Sequence, residues 1–172
     1  MKNRQTPTSR ERVMREDDFI VSKTDLKGRI TYCNRVFIEF SGYTASELMG
    51  EQHNIVRHPD MPRGVFKYLW GTLEQKKECF AYVKNMCKDG SYYWVFANVT
   101  PDVDAKGQVV GYFSVRRKAS AKAIALMGDV YRAMLEEERK AGAKDACTAS
   151  LALLASTLEQ QGVSYEQLVL SL

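Results

Sequence analysis

No stretch of this chain is apolar for long enough to cross a bilayer as a helix. Such a span takes about 20 residues, and the longest apolar-leaning run, 149–158, falls well short. The opening MKNRQTPTSRER has no apolar core, so it does not read as a secretory leader. Cysteine is sparse. Cys33, Cys79, Cys87 and Cys147 fit neither a zinc spacing nor a haem-attachment spacing. Reduced thiols in a cytoplasmic protein are the expectation. Charge of one sign is scarce too: the net charge is +4, and the densest basic group is Lys2, Arg4, Arg10, Arg12 and Arg15. A nucleic-acid arm needs a longer basic block, so this group reads as a solvated tail. There is no nucleophile–base pairing, no glycine-rich phosphate loop and no metal-ligand spacing. Cys79 and Cys87 read as inert core thiols, and the chain does not read as an enzyme. Internal repeats are missing as well.

What is present suits one domain with appended helices: 172 residues, 45% hydrophobic and 27% charged. Residues 1–17 read as a polar lead, flexible or an early helix. The core spans 18–118 and a helical extension spans 119–172. Phe19, Ile20 and Val21 form a short buried strand by length. The turn 24–28 joins it to an alternating strand over 29–33, with Ile30 and Tyr32 on one face. Val36, Phe37 and Phe40 mark a helix that Gly42 ends. Thr44 and Glu47 make a capping box for a short helix closed by Gly50. A helix over 62–75 starts at Pro62, with Val65, Phe66, Leu69 and Leu73 as its stripe.

Asp89-Gly90 then joins two β-rich runs, 79–87 and 92–99, as a hairpin ended by Pro101. A further turn leads to a last strand over 108–116. Beyond Ser120, Ile124, Met127, Val130, Tyr131 and Met134 lie on one helical stripe. Gly142 breaks that helix, and Leu151, Leu154 and Leu158 mark the next. Ser164 and Gln167 cap a terminal turn. A capping box so near the end suggests a finished C-terminus, and hence a separate output protein. The class is α+β: a five-stranded antiparallel sheet, short helices on one face, and appended C-terminal helices.

The segment from Thr24-Asp25-Leu26-Lys27-Gly28-Arg29-Ile30 through Asn34, with Phe37, Ser41-Gly42-Tyr43-Thr44, Glu47-Leu48 and Gly50, resembles the N-terminal signature of PAS domains. Lys88-Asp89-Gly90, Tyr93-Trp94-Val95, Pro101 and Gly111-Tyr112 resemble the C-terminal half. A narrower resemblance lies in His53-Asn54, Val56 to Pro62, and Val83-Lys84-Asn85, which are similar to the PAS domains of bacterial aerotaxis receptors. That resemblance implies a bound FAD and a role in reporting redox or oxygen status. Cys79 stands where those receptors carry a large aromatic, which widens the pocket or turns the ligand. The 54–60 run NIVRHPD lacks the photochemical cysteine of light-sensing relatives.

A flavin needs an apolar slot and a few polar groups for its pyrimidine edge. Asn85 shares a strand face with Ala81 and Val83 and can both donate and accept there, or pair instead with backbone. Arg57 can fork onto a pyrophosphate. His58 can bond ring or ribose, and Asp60 can hold Arg57 or a ribose hydroxyl. The alternative for these three is an Arg57–Asp60 ion pair fixing the loop and a helix-capping His58. Asn34 is either a ligand contact or an N-cap. Trp70 is either core packing or a stacking wall. Arg116, facing the same way as Ser114, is a signalling contact or solvated. Two rival readings stay open. One is a haem-binding PAS sensor with His53 or His58 as axial ligand. The other is a cofactor-free module that forms a homodimer or meets a partner signalling protein through its helices.

Overall fold

The computed structural model describes residues 5–172. Its sheet is built from β1 (Ile20–Thr24), β2 (Ile30–Cys33), β3 (Cys79–Met86), β4 (Tyr92–Val103) and β5 (Val109–Lys118), in the order β2-β1-β5-β4-β3. Every neighbouring pair is antiparallel. Between β2 and β3 come α1 (Arg35–Ser41), α2 (Ala45–Leu48), a 3-10 turn (His53–Val56) and α3 (Arg63–Glu74). After β5 come α4 (Ala121–Gln161) and α5 (Tyr165–Leu170). This is the expected α+β architecture.

The local chemistry explains most element ends. The Thr44–Glu47 and Ser164–Gln167 capping boxes both form. In the β3–β4 turn, Asp89 Oδ1 accepts from the Ser91 amide at 3.0 Å while Gly90 takes a φ of 84°. A side chain at Gly90 would also strike the Thr6 carbonyl.

Four expectations need correction. The described part of the lead is not helical but docked, with Thr8, Arg10 and Arg12 bonded through backbone to Gly90 and Tyr92. It runs parallel to β4 at Glu11–Tyr92, beyond the last β5 pair, and Met14 is buried. Lys2 and Arg4 lie outside the described residues. In β2, Ile30 is buried but Tyr32 is 48% exposed. The register slips between Lys23–Tyr32 and Thr24–Ile30, so Thr31 is an extra residue and alternation fails. In β1, Phe19 stays outside the strand and is exposed. Finally, β4 runs through Pro101, which pairs with Tyr112. The β3 partner ends at Cys79–Val99, so past that point β4 has a free edge where a missing N–H is harmless.

Sheet parity sorts the side chains. Val83, Asn85, Tyr93, Val95, Ala97, Ser114, Arg116 and Ser22 share the inner face beneath α3. The outer face carries Tyr82, Trp94 and Phe96, and α4 covers it there. The Tyr131 ring stacks on Trp94 at 6.2 Å, and its hydroxyl donates to the Tyr82 carbonyl at 2.7 Å. Gly142, at φ 74° and ψ 172°, kinks α4 and turns its second half back.

Candidate functional site

Small residues on the inner face, Ser22, Ala97 and Ser114, leave a cavity of about 180 Å³ between the sheet and α3. Phe66, Leu69 and Leu73 of α3 form one apolar wall; Val83, Ala97 and Val99 form the other. Trp70 stands at the mouth, 38% exposed, against Tyr112 at 5.1 Å. Gly28 lies beneath it, close to the indole edge.

Arg116 dominates the electrostatics. Its guanidinium is buried, over the Phe37 ring at 5.4 Å. Nη2 donates to His53 Nε2 at 2.7 Å and to Ser22 Oγ at 3.0 Å, while Nη1 is buried without a partner. No carboxylate pairs with it among the described residues. Burial pulls its pKa down to about 10. His53 stacks on Phe37 and is pushed down to about 3 by burial and by the Arg116 charge. It is therefore a neutral imidazole accepting at Nε2, with its proton on Nδ1. The Ser114 hydroxyl, on the same strand face, is also buried and unpartnered. A buried polar group without a partner costs stability, so the two that line the cavity, Arg116 Nη1 and Ser114 Oγ, signal a ligand's place.

Four of the sequence-expected residues meet at this cavity: Arg57, Trp70, Asn85 and Arg116. An isolated antiparallel bridge ties the backbones of Arg57 and Asn85. The Arg57 guanidinium lies 4.3 Å over the Phe66 ring and donates to the Met61 carbonyl at 2.8 Å. Arg116 is not solvated, correcting that alternative.

The other three residues do not line the cavity. Asn34 is fully used as the α1 cap: Oδ1 accepts from the Phe37 and Val21 amides, each at 3.0 Å, and Nδ2 donates to the Phe19 carbonyl at 2.7 Å. Asp60 pairs with Lys84 at 2.6 Å rather than with Arg57. His58 is buried against Tyr92, and its Nδ1 accepts from the Asp60 amide at 3.1 Å. Burial and Lys84 push its pKa to about 4. Its Nε2 has no partner.

Ser22, Gln52, Ser114 and Tyr112 were missed as cavity residues. Ser22 had one signal: a polar residue two places from Ile20 on the inward face. Burial raises the Cys33, Cys79 and Cys87 thiols, Cys79 to about 11. Among the described residues no group of three or more His, Cys, Asp or Glu side chains is placed to hold a metal. Nor is any helix there long and apolar enough to cross a membrane.

The PAS fold family model matches residues 30–116. The chain is 41% identical over 127 residues to the aerotaxis receptor of Escherichia coli K12, covering 74% of this chain and 25% of that protein. It is 28% identical over 100 residues to a nitrogen fixation regulatory protein of Klebsiella pneumoniae, covering 58% of this chain and 20% of that protein. It thus spans only a quarter or less of these relatives. Among solved structures, the light-state LOV domain of the photoreceptor Aureochrome1 superposes with a TM-score of 0.57 at 21% identity, covering 66% and 90% of the two chains. A light-oxygen-voltage domain studied with a flavin analogue gives 0.54 at 25% identity, covering 72% and 87%. Fold, matched segment and relatives agree: the chain belongs to the PAS fold family of sensor and signalling domains.

Proposed function

We propose that this PAS domain binds FAD in the cavity and reports redox or oxygen status to a partner protein in the cytoplasm. The observation that carries the reading is the convergence of Asn85, Arg116 and the unpartnered Ser114 hydroxyl on an apolar slot. An aerotaxis receptor relative and a flavin-linked light-oxygen-voltage neighbour support it.

The residues fit the group. The two apolar walls suit the faces of a flat ring. The Asn85 amide can donate to and accept from a uracil-like edge. The free Nη1 of Arg116 suits a carbonyl or negative charge at that edge, and Arg57 at the rim suits a pyrophosphate. The cavity is smaller than the roughly 300–1,000 Å³ of ordinary ligand pockets. Loading therefore moves a wall, and that movement falls to Trp70 at the mouth, which would leave its contact with Tyr112. A bound flavin supplies reversible electron uptake. The chain's own part is to hold the ring and to answer a charge change through Arg116, whose partners Ser22 and His53 sit on β1 and the 3-10 turn. Residues 18–118 form the sensing unit and 119–172 the output extension.

A haem reading is disfavoured at this cavity: His53 Nε2 is held by Arg116, and His58, whose Nε2 is unpartnered, does not line it. The test is a visible spectrum before and after dithionite, with uptake of added FAD. Flavin bands that bleach are expected, and Asn85→Ala and Arg57→Ala should lose retention. Unchanged retention in both removes the site assignment. A protein that takes up no FAD overturns the function and leaves an interaction module.

A further inference from the structure

The C-terminal helices meet the cavity rim at one buried carboxylate. Glu138 Oε1 accepts from the Gly64 amide at 3.0 Å and from the Ser150 hydroxyl at 2.8 Å. Gly64 stands in the first turn of α3, where amides lack helical partners and favour negative charge. Ser150 comes from the second half of α4, returned by the kink at Gly142. A side chain at Gly64 would collide with the Ser150 hydroxyl, so the helices meet there by backbone. Arg63 adds a bond to the Ala143 carbonyl at 3.2 Å. Glu138 thus ties the start of α3 to both halves of α4.

Arg57 lines the cavity with its guanidinium 4.3 Å over the Phe66 ring, two residues along α3 from the Gly64 amide that holds Glu138, and the Glu138 charge acts on it. No ion pair closer than 4 Å joins them, so the attraction acts at longer range across poorly solvated space.

We infer that Arg57 is shared between the cavity and Glu138, so that an anionic cavity ligand loosens the docking of residues 143–170 on α3. This rests on the reading of the cavity as a flavin site. A bound pyrophosphate draws the Arg57 charge to itself and adds negative charge beside Glu138. The carboxylate stays buried but faces less positive charge, with Arg63 left beside it, which makes the docked state more costly. Linkage makes the effect reciprocal: undocked helices strengthen ligand binding by the same factor.

Hydrogen–deuterium exchange on the whole chain tests it. FAD should speed exchange across 143–170 several-fold while slowing it in the sheet. Glu138→Gln keeps the acceptor and removes the charge; it should erase that response and bind FAD several-fold more tightly. In the ligand-free chain Arg57→Met should speed exchange in 143–170, whereas Arg57→Lys, which keeps the charge, should not. If FAD binds and 143–170 do not respond, the coupling is overturned and the flavin reading stands. If FAD does not bind, the flavin reading falls, and the two Arg57 variants decide the coupling alone: equal exchange in both overturns it.

Discussion

Arg116 is a charge buried without a counter-charge among the described residues, an arrangement that costs stability. Replacing it with Met creates no new orphan, because Ser22 Oγ and His53 Nε2 are already 3.2 Å apart and can bond each other. Arg116→Met should therefore stabilise the ligand-free protein by about 1 kcal/mol in urea denaturation, while weakening FAD retention. A loss of stability would show that the guanidinium is a structural tie. The histidines give a second prediction. His53 and His58 are pushed down to about 3 and about 4 in the fold, against about 6.5 unfolded. Below pH 6.5 the unfolded chain binds protons that the folded one refuses. Stability is thus intact above pH 6.5 and falls, by about 1.4 kcal/mol per pH unit for each histidine, as pH drops towards those folded values. The lowered carboxylates Asp18, Glu47, Asp60 and Asp89 release their stability only at more acid pH. His53→Gln keeps an acceptor for Arg116 and should flatten the limb between pH 6.5 and 5, read as denaturation midpoints; an unchanged slope refutes the assignment. At this scale the sequence was legible where strand parity set a direction, as at Asn85 beside Val83; at Arg116 parity paired it with Ser114 but did not say which side of the sheet was covered. It was not legible at Asn34, whose side chain suits a cap as well as a ligand, or at Asp60, on a loop with no periodicity to say where it points.

Among the elements, those with local signals were the readable ones: both capping boxes, the Asp89-Gly90 hairpin, and the α3 stripe starting at Pro62. The β2 bulge and the docked lead depend on partners elsewhere in the chain, Lys23 for one and Tyr92 for the other, and nothing local announces them. The contact between α3 and the returning half of α4 is of the same non-local kind. It depends on Gly64, where a β-carbon would strike Ser150 Oγ and press on Met134 and the Leu151 amide. Gly64→Ala should cost about 1–3 kcal/mol by overpacking. Adding Ser150→Ala removes the struck atom, so the double variant should lose less than the sum of the singles. Additive losses in denaturant would mean that the helices meet differently in solution.

Taken as a whole, the molecule covers its sheet from both sides at the β3–β4 end. α3 closes the inner face over the cavity. α4 and α5 close the outer face and the β3 edge, with Tyr131 on Trp94 and Tyr165 against Tyr68 at 4.6 Å. The extension is thus part of the core: Met127, Tyr131, Met134 and Leu154 are buried in it. Ending the chain after Lys118 would bare Tyr82, Trp94 and Phe96, aromatic rings that pack with one another and with Tyr131. Large aromatics bury about 150–250 Å² each, and at about 25 cal/mol per Å² even half of that for three rings is several kcal/mol. Domains hold only about 5–15 kcal/mol in total. The shortened chain should therefore show a much lower urea midpoint and strong binding of a hydrophobic dye, if it folds at all. The cavity lies on the opposite face, so any folded fraction should still take up FAD, and more tightly if Glu138 opposes the ligand. A shortened chain as stable as the whole would make 119–172 an independent attachment. The buried Glu138 could then transmit nothing, because release of the helices would leave the sensing unit unchanged.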